Sequence, residues 1–271
     1  MDMTLQEFKF IQQFLAQACG IVLSDAKQYL VKNRLSELLS RHKMHSFADL
    51  ISALQSGTVA AVKIKAEVIE AMTTNETSWF RDEAQFTELK ENLLPQLLTK
   101  RGGIKIWSAA CSSGQEAYTI SLCVEAVGKS GAVKIIGTDI SEDILTQARL
   151  AVYADSALAR GLDGAAKKLY FHPVTGGYKL NPEITGRVRF QQFNLLKPFS
   201  VLGRFDIIFC RNVLIYFSEE VKQDILSRML QVLEPGGILF LSSTEVMPPQ
   251  VKGFELVRGR YSRYYKKSHA L

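Results

Sequence analysis

Ile104-Lys105-Ile106-Trp107-Ser108-Ala109-Ala110-Cys111-Ser112-Ser113-Gly114-Gln115-Glu116 runs from an apolar stretch through small residues into an amphipathic helix. Small residues let a backbone approach a ligand closely, and a helix N-terminus offers unbonded N–H groups. The loop holds one glycine where G-x-G-x-x-G has three, which disfavours a nicotinamide dinucleotide. An ordinary tight strand-to-helix turn has the same composition, so this segment alone leaves both readings open.

Outward from it the texture repeats. Short runs rich in Val and Ile at 104–109, 133–137, 188–192, 205–210 and 238–242 alternate with amphipathic stretches at 115–127, 142–152 and 219–233. Such alternation implies right-handed crossovers and a parallel sheet, which holds ligands beyond the C-terminal ends of its strands. Residues 254–257 and 261–266 read as two closing strands around Arg258-Gly259-Arg260. The rhythm breaks at 170–188, where Thr175-Gly176-Gly177-Tyr178 reads as a hairpin turn, predicting a small antiparallel insertion at about 170–190. Residues 1–72 read as helices only, with Ser24-Asp25 as the N-cap of a second helix reaching Arg41. The expected organisation is a helical domain at 1–72, a connecting segment at 73–101 that contributes to the site, and an α/β domain at 102–271.

The strand ends carry the informative residues. Asp139, in Gly137-Thr138-Asp139-Ile140-Ser141, ends the second strand where a carboxylate accepts hydrogen bonds from the ribose hydroxyls of a nucleoside. Asp139 or Ser141 also suits capping of the next helix, and the two roles are compatible. Asn194, after the third long strand, suits an adenine edge with Leu195 against the ring, or a plain turn. Arg211 and Asn212 emerge from the apolar run Phe205-Asp206-Ile207-Ile208-Phe209-Cys210, a strand buried on both faces. Asn75-Glu76-Thr77-Ser78-Trp79-Phe80-Arg81-Asp82 is polar around an aromatic pair, which suits a segment folded over the cleft better than a linker.

The 271 residues are 47% hydrophobic and 22% charged, ordinary for a globular protein, with a net charge of +6. The pI of about 9.1 suits an acidic partner. No apolar run approaches the roughly 20 residues of a membrane-spanning helix, and no secretory signal is visible. Cys19, Cys111, Cys123 and Cys210 form no C-x-x-C pair, and the four histidines form no H-E-x-x-H, so no metal is expected and a reducing, cytoplasmic setting is.

At this point the residues resemble the CheR-type chemotaxis receptor methyltransferases. The resemblance lies in Asn75-Glu76-Thr77-Ser78-Trp79-Phe80-Arg81, Trp107-Ser108-Ala109-Ala110-Cys111-Ser112-Ser113-Gly114, Gly137-Thr138-Asp139-Ile140 and Cys210-Arg211-Asn212-Val213-Leu214-Ile215-Tyr216-Phe217. Leu233-Glu234-Pro235-Gly236-Gly237 and Ser243-Thr244-Glu245 fit the same pattern. The resemblance implies an all-helical N-terminal domain followed by a class I, Rossmann-like α/β methyltransferase domain with a small antiparallel β-subdomain. It implies S-adenosyl-L-methionine as cofactor and S-adenosyl-L-homocysteine as product. It places Asn75, Thr77, Arg81 and Glu116 near the methionine end, Asp139 at the ribose, and Asn194 and Leu195 at the adenine. Asn212 and Val213 match further cofactor contacts, and Arg81 and Tyr216 are expected to shape the methyl-transfer site.

The implied reaction is methylation of glutamate side chains on the cytoplasmic helical bundle of chemoreceptors, forming methyl esters. A glutamate is already an anion at neutral pH and needs no general base. Lys27, Arg34 and Arg41 recur every seven residues beside the apolar face Val31, Leu35, Leu38, a basic stripe suited to dock an acidic bundle, although such stripes also serve as plain solvated faces. The sequence around Val174–Tyr178 is short, which implies an enzyme independent of a receptor peptide tether. A nucleic-acid methyltransferase fits less well, because Arg211-Asn212-Val213-Leu214 stands where Asn/Asp-Pro-Pro-Tyr/Phe is frequent. A receptor-binding adaptor that keeps the fold without catalysis is the alternative from another class; a monomer is expected in either case.

Overall fold

The computed structural model describes residues 2–100, 103–128 and 130–268. The first two residues of the Arg101-Gly102-Gly103 break lie outside the described residues. The chain divides into two units, one of residues 1–74 with 216–221 and the other of 75–215 with 222–271.

In the first unit, helix α1 (Leu5–Cys19) starts on a capping box in which the Thr4 hydroxyl accepts the Glu7 N–H while the Glu7 carboxylate accepts the Thr4 N–H. It ends at Gly20, whose φ of 80° is left-handed. The second helix opens with a 3-10 turn at Asp25–Lys27, and α2 proper is Gln28–Arg41. A second capping box, Ser46 with Asp49, starts α3 (Phe47–Gln55), and Thr58 caps α4 (Val59–Met72). Apolar residues at helical spacing, such as Phe8, Ile11 and Leu15 or Val31, Leu35 and Leu38, are fully buried. Helix α2 packs on α4, and α3 on both α1 and α4. The Tyr216 carbonyl belongs to this unit and accepts the Val22 N–H at 2.9 Å.

The second unit begins with α5 (Glu83–Glu88) and α6 (Leu94–Lys100), joined by a π turn at Leu89–Leu93. Pro95 has no N–H to return to the preceding turn, and the helix widens there. Next come β1 (Ile104–Ala109), α7 (Gln115–Val127), β2 (Val133–Asp139) and α8 (Glu142–Leu150). A small antiparallel sheet follows, built from β3 (Val152–Tyr153), β4 (Phe171–Val174) and β5 (Gly177–Leu180), with β5 in the middle. The short helices α9 (Asp155–Leu158), α10 (Gly164–Tyr170) and α11 (Pro182–Thr185) lie around it in sequence. The chain returns through β6 (Val188–Gln192), β7 (Phe205–Cys210), α12 (Glu219–Val232), β8 (Leu233–Phe240), β9 (Phe254–Arg258) and β10 (Arg263–Lys267).

The large sheet has the order β6-β2-β1-β7-β8-β10-β9. Strands β6, β2, β1, β7 and β8 are parallel, and β10 runs antiparallel to both β8 and β9. Strand order therefore reverses between β1 and β7, and their C-terminal ends flank a topological switch point. Helix α7 packs on β1, β2 and β6. Every residue of β7 is buried, which accounts for its apolar run, and its one acid, Asp206, accepts the Lys105 N–H at 2.8 Å.

Several expectations shift, beginning with Ser24, whose side chain makes no capping hydrogen bond at the start of the second helix. Strand β3 precedes the insertion expected at 170–190, because Val152 and Tyr153 pair with Lys179 and Tyr178. Gly177 permits this approach: a Cβ there would sit 2.3 Å from the Tyr153 carbonyl oxygen. Strand β8 starts at Leu233, not Ile238, because Leu233 pairs with Phe205 before an irregularity that skips to Ile207–Ile238. Among the described residues no helix is long and apolar enough to cross a membrane.

Candidate functional site

The loop after β1, the turn after β7 and the Asn75–Asp82 segment share an unusual backbone. Among the described residues seven non-glycine positions have positive φ, and five of them are Phe80, Asp82, Ala110, Ser112 and Asn212. All five lie in segments singled out from the sequence, whereas Lys43 and Ala151 follow helix ends. A left-handed non-glycine residue costs about 1–2 kcal/mol, and such residues gather where surrounding structure enforces them for function.

In the loop after β1, Ala110, Ser112 and Gly114 have φ of 58°, 51° and 90°. The Ser112 N–H points to Asp139 Oδ2 at 2.8 Å, and the Ser141 N–H to Oδ1 at 3.1 Å. Burial pushes the Asp139 carboxyl above its usual range, and the N–H donors of Ser141, Ser112 and Ile140 offset this only in part. Ser141 caps α8 through the Ile144 N–H. The capping role thus falls to Ser141, and Asp139 joins the β1 loop to the end of β2.

The Asn75–Asp82 segment is fixed at several points. The Asn75 carbonyl accepts from Ser112 Oγ at 2.8 Å, and the Phe80 N–H reaches Thr119 Oγ1 at 3.3 Å. Trp79 is buried with Tyr153 and Phe171 edge-on to it, 5.1 and 5.3 Å between ring centroids. Thr77 is half-buried, Arg81 is exposed, and the Arg81 guanidinium lies 3.4 Å from the Glu76 carbonyl oxygen.

Arg211 does not line an open crevice as expected from its place after β7: its side chain is 1% exposed. Its Nη2 donates to Asp82 Oδ2 at 2.8 Å and to the Arg81 carbonyl, while Nη1 donates to Glu116 Oε2 at 2.9 Å. Ser108 donates to Glu116 Oε1 at 2.6 Å, and Ser243 donates to Asp82 through both its N–H and its hydroxyl. Burial raises the Asp82 carboxyl, but Arg211 and Ser243 outweigh it and hold it below the usual range. One buried guanidinium thus bridges two carboxylates from separate segments, and the group retains one net negative charge.

The remaining residues fall as follows. Asn194 Oδ1 accepts the Leu196 N–H at 2.9 Å, an Asx turn, and Leu195 is buried. Asn212 and Val213 are half-buried in the turn after β7. Tyr216 ends the 3-10 turn Leu214–Tyr216 and is grouped with the first unit, whereas Arg81 belongs to the second. Lys27 and Arg41 are exposed. Arg34 is not a free surface cation: it donates to the carbonyls of Met72 and Thr73 at 2.8 and 2.9 Å and to Thr74 Oγ1 at 3.0 Å.

Residues 75–262 match the family described as CheR methyltransferase, SAM binding domain, and residues 6–73 match CheR methyltransferase, all-alpha domain. The chain belongs to the CheR methyltransferase family. It is 42% identical over 267 residues to the chemotaxis protein methyltransferase of Vibrio anguillarum, covering 96% of each chain. It is 41% identical to chemotaxis protein methyltransferase 1 of Pseudomonas aeruginosa, over 93% of this chain and 94% of that one. It is 35% identical to the chemotaxis protein methyltransferase of Salmonella typhimurium, over 92% and 86%. Among solved structures, magnesium protoporphyrin IX methyltransferase from Synechocystis PCC 6803 aligns with a TM-score of 0.40 at 15% identity, over 91% of this chain and 99% of that one. The protein is an S-adenosylmethionine-dependent methyltransferase of chemotaxis. Asp139 ends β2 beside the left-handed loop after β1, at the edge where open parallel sheets hold nucleoside ligands.

Proposed function

We propose that this methyltransferase esterifies glutamate side chains on the acidic, cytoplasmic helical region of chemoreceptors. The observation that carries the reading is Arg81. Its backbone carbonyl is pinned by Arg211, its guanidinium is exposed, and among the described residues that guanidinium has a backbone carbonyl beside it but no carboxylate. An exposed guanidinium on a fixed loop is suited to hold a carboxylate.

When bound, S-adenosylmethionine supplies a methyl group on a positively charged sulfur. Asn75, Thr77, Arg81 and Glu116 are assigned to its methionine end, Asp139 to its ribose, Asn194 and Leu195 to its adenine, and Asn212 and Val213 to further contacts. The glutamate needs orientation, not deprotonation, so Arg81 and Tyr216 act by holding it in place. Arg81→Ala and Tyr216→Phe are each expected to lower kcat by at least about tenfold with a smaller change in cofactor affinity. Wild-type kcat in both variants would remove them from the mechanism.

Docking is assigned to Lys27 and Arg41, with Arg34 reassigned to holding the end of α4. Charge reversal of Lys27 and Arg41 to Glu should raise the receptor KM several-fold at low ionic strength, the difference shrinking as salt screens it. The substrate assignment is tested by transfer of tritiated methyl from labelled cofactor to purified receptor cytoplasmic fragments. Glutamate methyl esters release volatile label in mild alkali. Label that is absent, or that survives alkali, would sink the assignment.

A further inference from the structure

In Ser243-Thr244-Glu245, Ser243 donates to Asp82, which leaves Glu245 to be accounted for. Glu245 sits just past β8 and is 8% exposed. Its carboxylate accepts three backbone N–H groups: Asn212 and Ser242 on Oε2, both at 3.0 Å, and Leu214 on Oε1 at 3.1 Å. The Asn212 and Leu214 donors belong to the turn after β7, in which Asn212 is left-handed at φ 58°. Backbone N–H groups that converge in this way form a concavity for an anion, and here a side chain of the same protein fills it. Asparagine enters the left-handed region more readily than most residues, and the carboxylate ties the turn in that shape by gathering the Asn212 and Leu214 N–H groups.

We propose that Glu245 is a positioning residue for cofactor binding: it clamps the Asn212–Leu214 turn in the conformation that presents Asn212 and Val213 to the cofactor. The proposal rests on the reading that these two residues line the cofactor site. Glu245 acts through the backbone of that turn and does not itself touch the cofactor. Glutamine is a stringent probe, because its amide would turn an N–H₂ donor toward an N–H donor in place of one carboxylate oxygen.

Glu88 serves as a control of similar burial and different placement. It is fully buried, accepts the N–H groups of Tyr261 and Ser262 at 2.6 and 3.2 Å, and so pins the turn between β9 and β10. Glu88→Gln should lower Tm and leave cofactor affinity alone.

The test is calorimetric titration of the full chain with S-adenosylhomocysteine, with thermal melts and steady-state kinetics beside it. Glu245→Gln should weaken binding about tenfold and raise the cofactor KM while leaving the receptor KM unchanged. Glu245→Asp, which keeps the charge, should recover part of the loss. In an Asn212→Ala background, Glu245→Gln should cost clearly less than the roughly tenfold it costs alone, because only Val213 is then left to position. A folded Glu245→Gln with wild-type affinity would overturn the proposal. So would an additive double variant, an Asn212→Ala variant with wild-type affinity, or failure of both Glu245 variants to fold, which would make Glu245 a folding residue. A wild-type chain that does not bind S-adenosylhomocysteine would instead overturn the cofactor reading beneath it.

Discussion

Asp139 spends both carboxylate oxygens on backbone N–H groups at the end of β2, so one residue shapes the loop after β1 at the edge where the proposed cofactor site lies. Asp139→Ala should weaken S-adenosylhomocysteine binding by at least about tenfold, measured by calorimetry, since charged hydrogen bonds are worth about 1.5–3 kcal/mol each. Burial raises this carboxyl above its ordinary value. On acidification it therefore takes up a proton earlier than an ordinary aspartate, and affinity that depends on the carboxylate is lost as pH falls through that raised pKa. Asp139→Asn should bind weakly and lose this acid limb; a wild-type acid profile in Asp139→Asn would assign the limb to another group. The place of Asp139 at the end of β2 was legible because an apolar run stops there and turn residues follow. The partners of Arg211 were not: Asp82 and Glu116 lie 129 and 95 residues away, and no local period reports a pairing of that range.

At the level of elements, periodicity served well wherever a face is buried against a neighbour. The strands at 104–109, 188–192 and 205–210 have the expected limits because apolar runs and turn residues bound them on both sides. It failed where a partner far along the chain decides. The two-residue strand β3 exists only through β5, and Leu233 is drawn into β8 by Phe205. The same limit explains Arg34, which has the seven-residue spacing of a surface stripe yet closes the C-terminal end of α4. Arginine there satisfies carbonyls that the helix itself leaves unbonded. Arg34→Met should therefore lower stability by about 1–2 kcal/mol in denaturant titration, while exposed Lys27→Met and Arg41→Met change it by less than about 0.5 kcal/mol. Equal stabilities in all three variants would return Arg34 to the surface stripe.

Across the whole molecule, the four cysteines Cys19, Cys111, Cys123 and Cys210 are all buried and unpaired. Burial raises every one of these thiols, Cys123 to about 12 and Cys111 and Cys210 well above their ordinary value. Thiolate is the reactive form, so the native protein should consume almost no thiol reagent at pH 8, and four equivalents once denatured. Rapid labelling of one cysteine in the native state would show a local opening, which mass spectrometry would place. The helical and α/β units were visible in the sequence as a change of texture, because each builds its core from its own periodicity.

Residues 216–221 return to the helical unit after the chain has built most of the sheet, and there the Tyr216 carbonyl receives the Val22 N–H. A gene cut after codon 74 would part the helical unit from residues 216–221, which are encoded in the second piece. A fragment of residues 1–74 would therefore leave the Val22 N–H without the Tyr216 carbonyl, a strap supplied from late in translation.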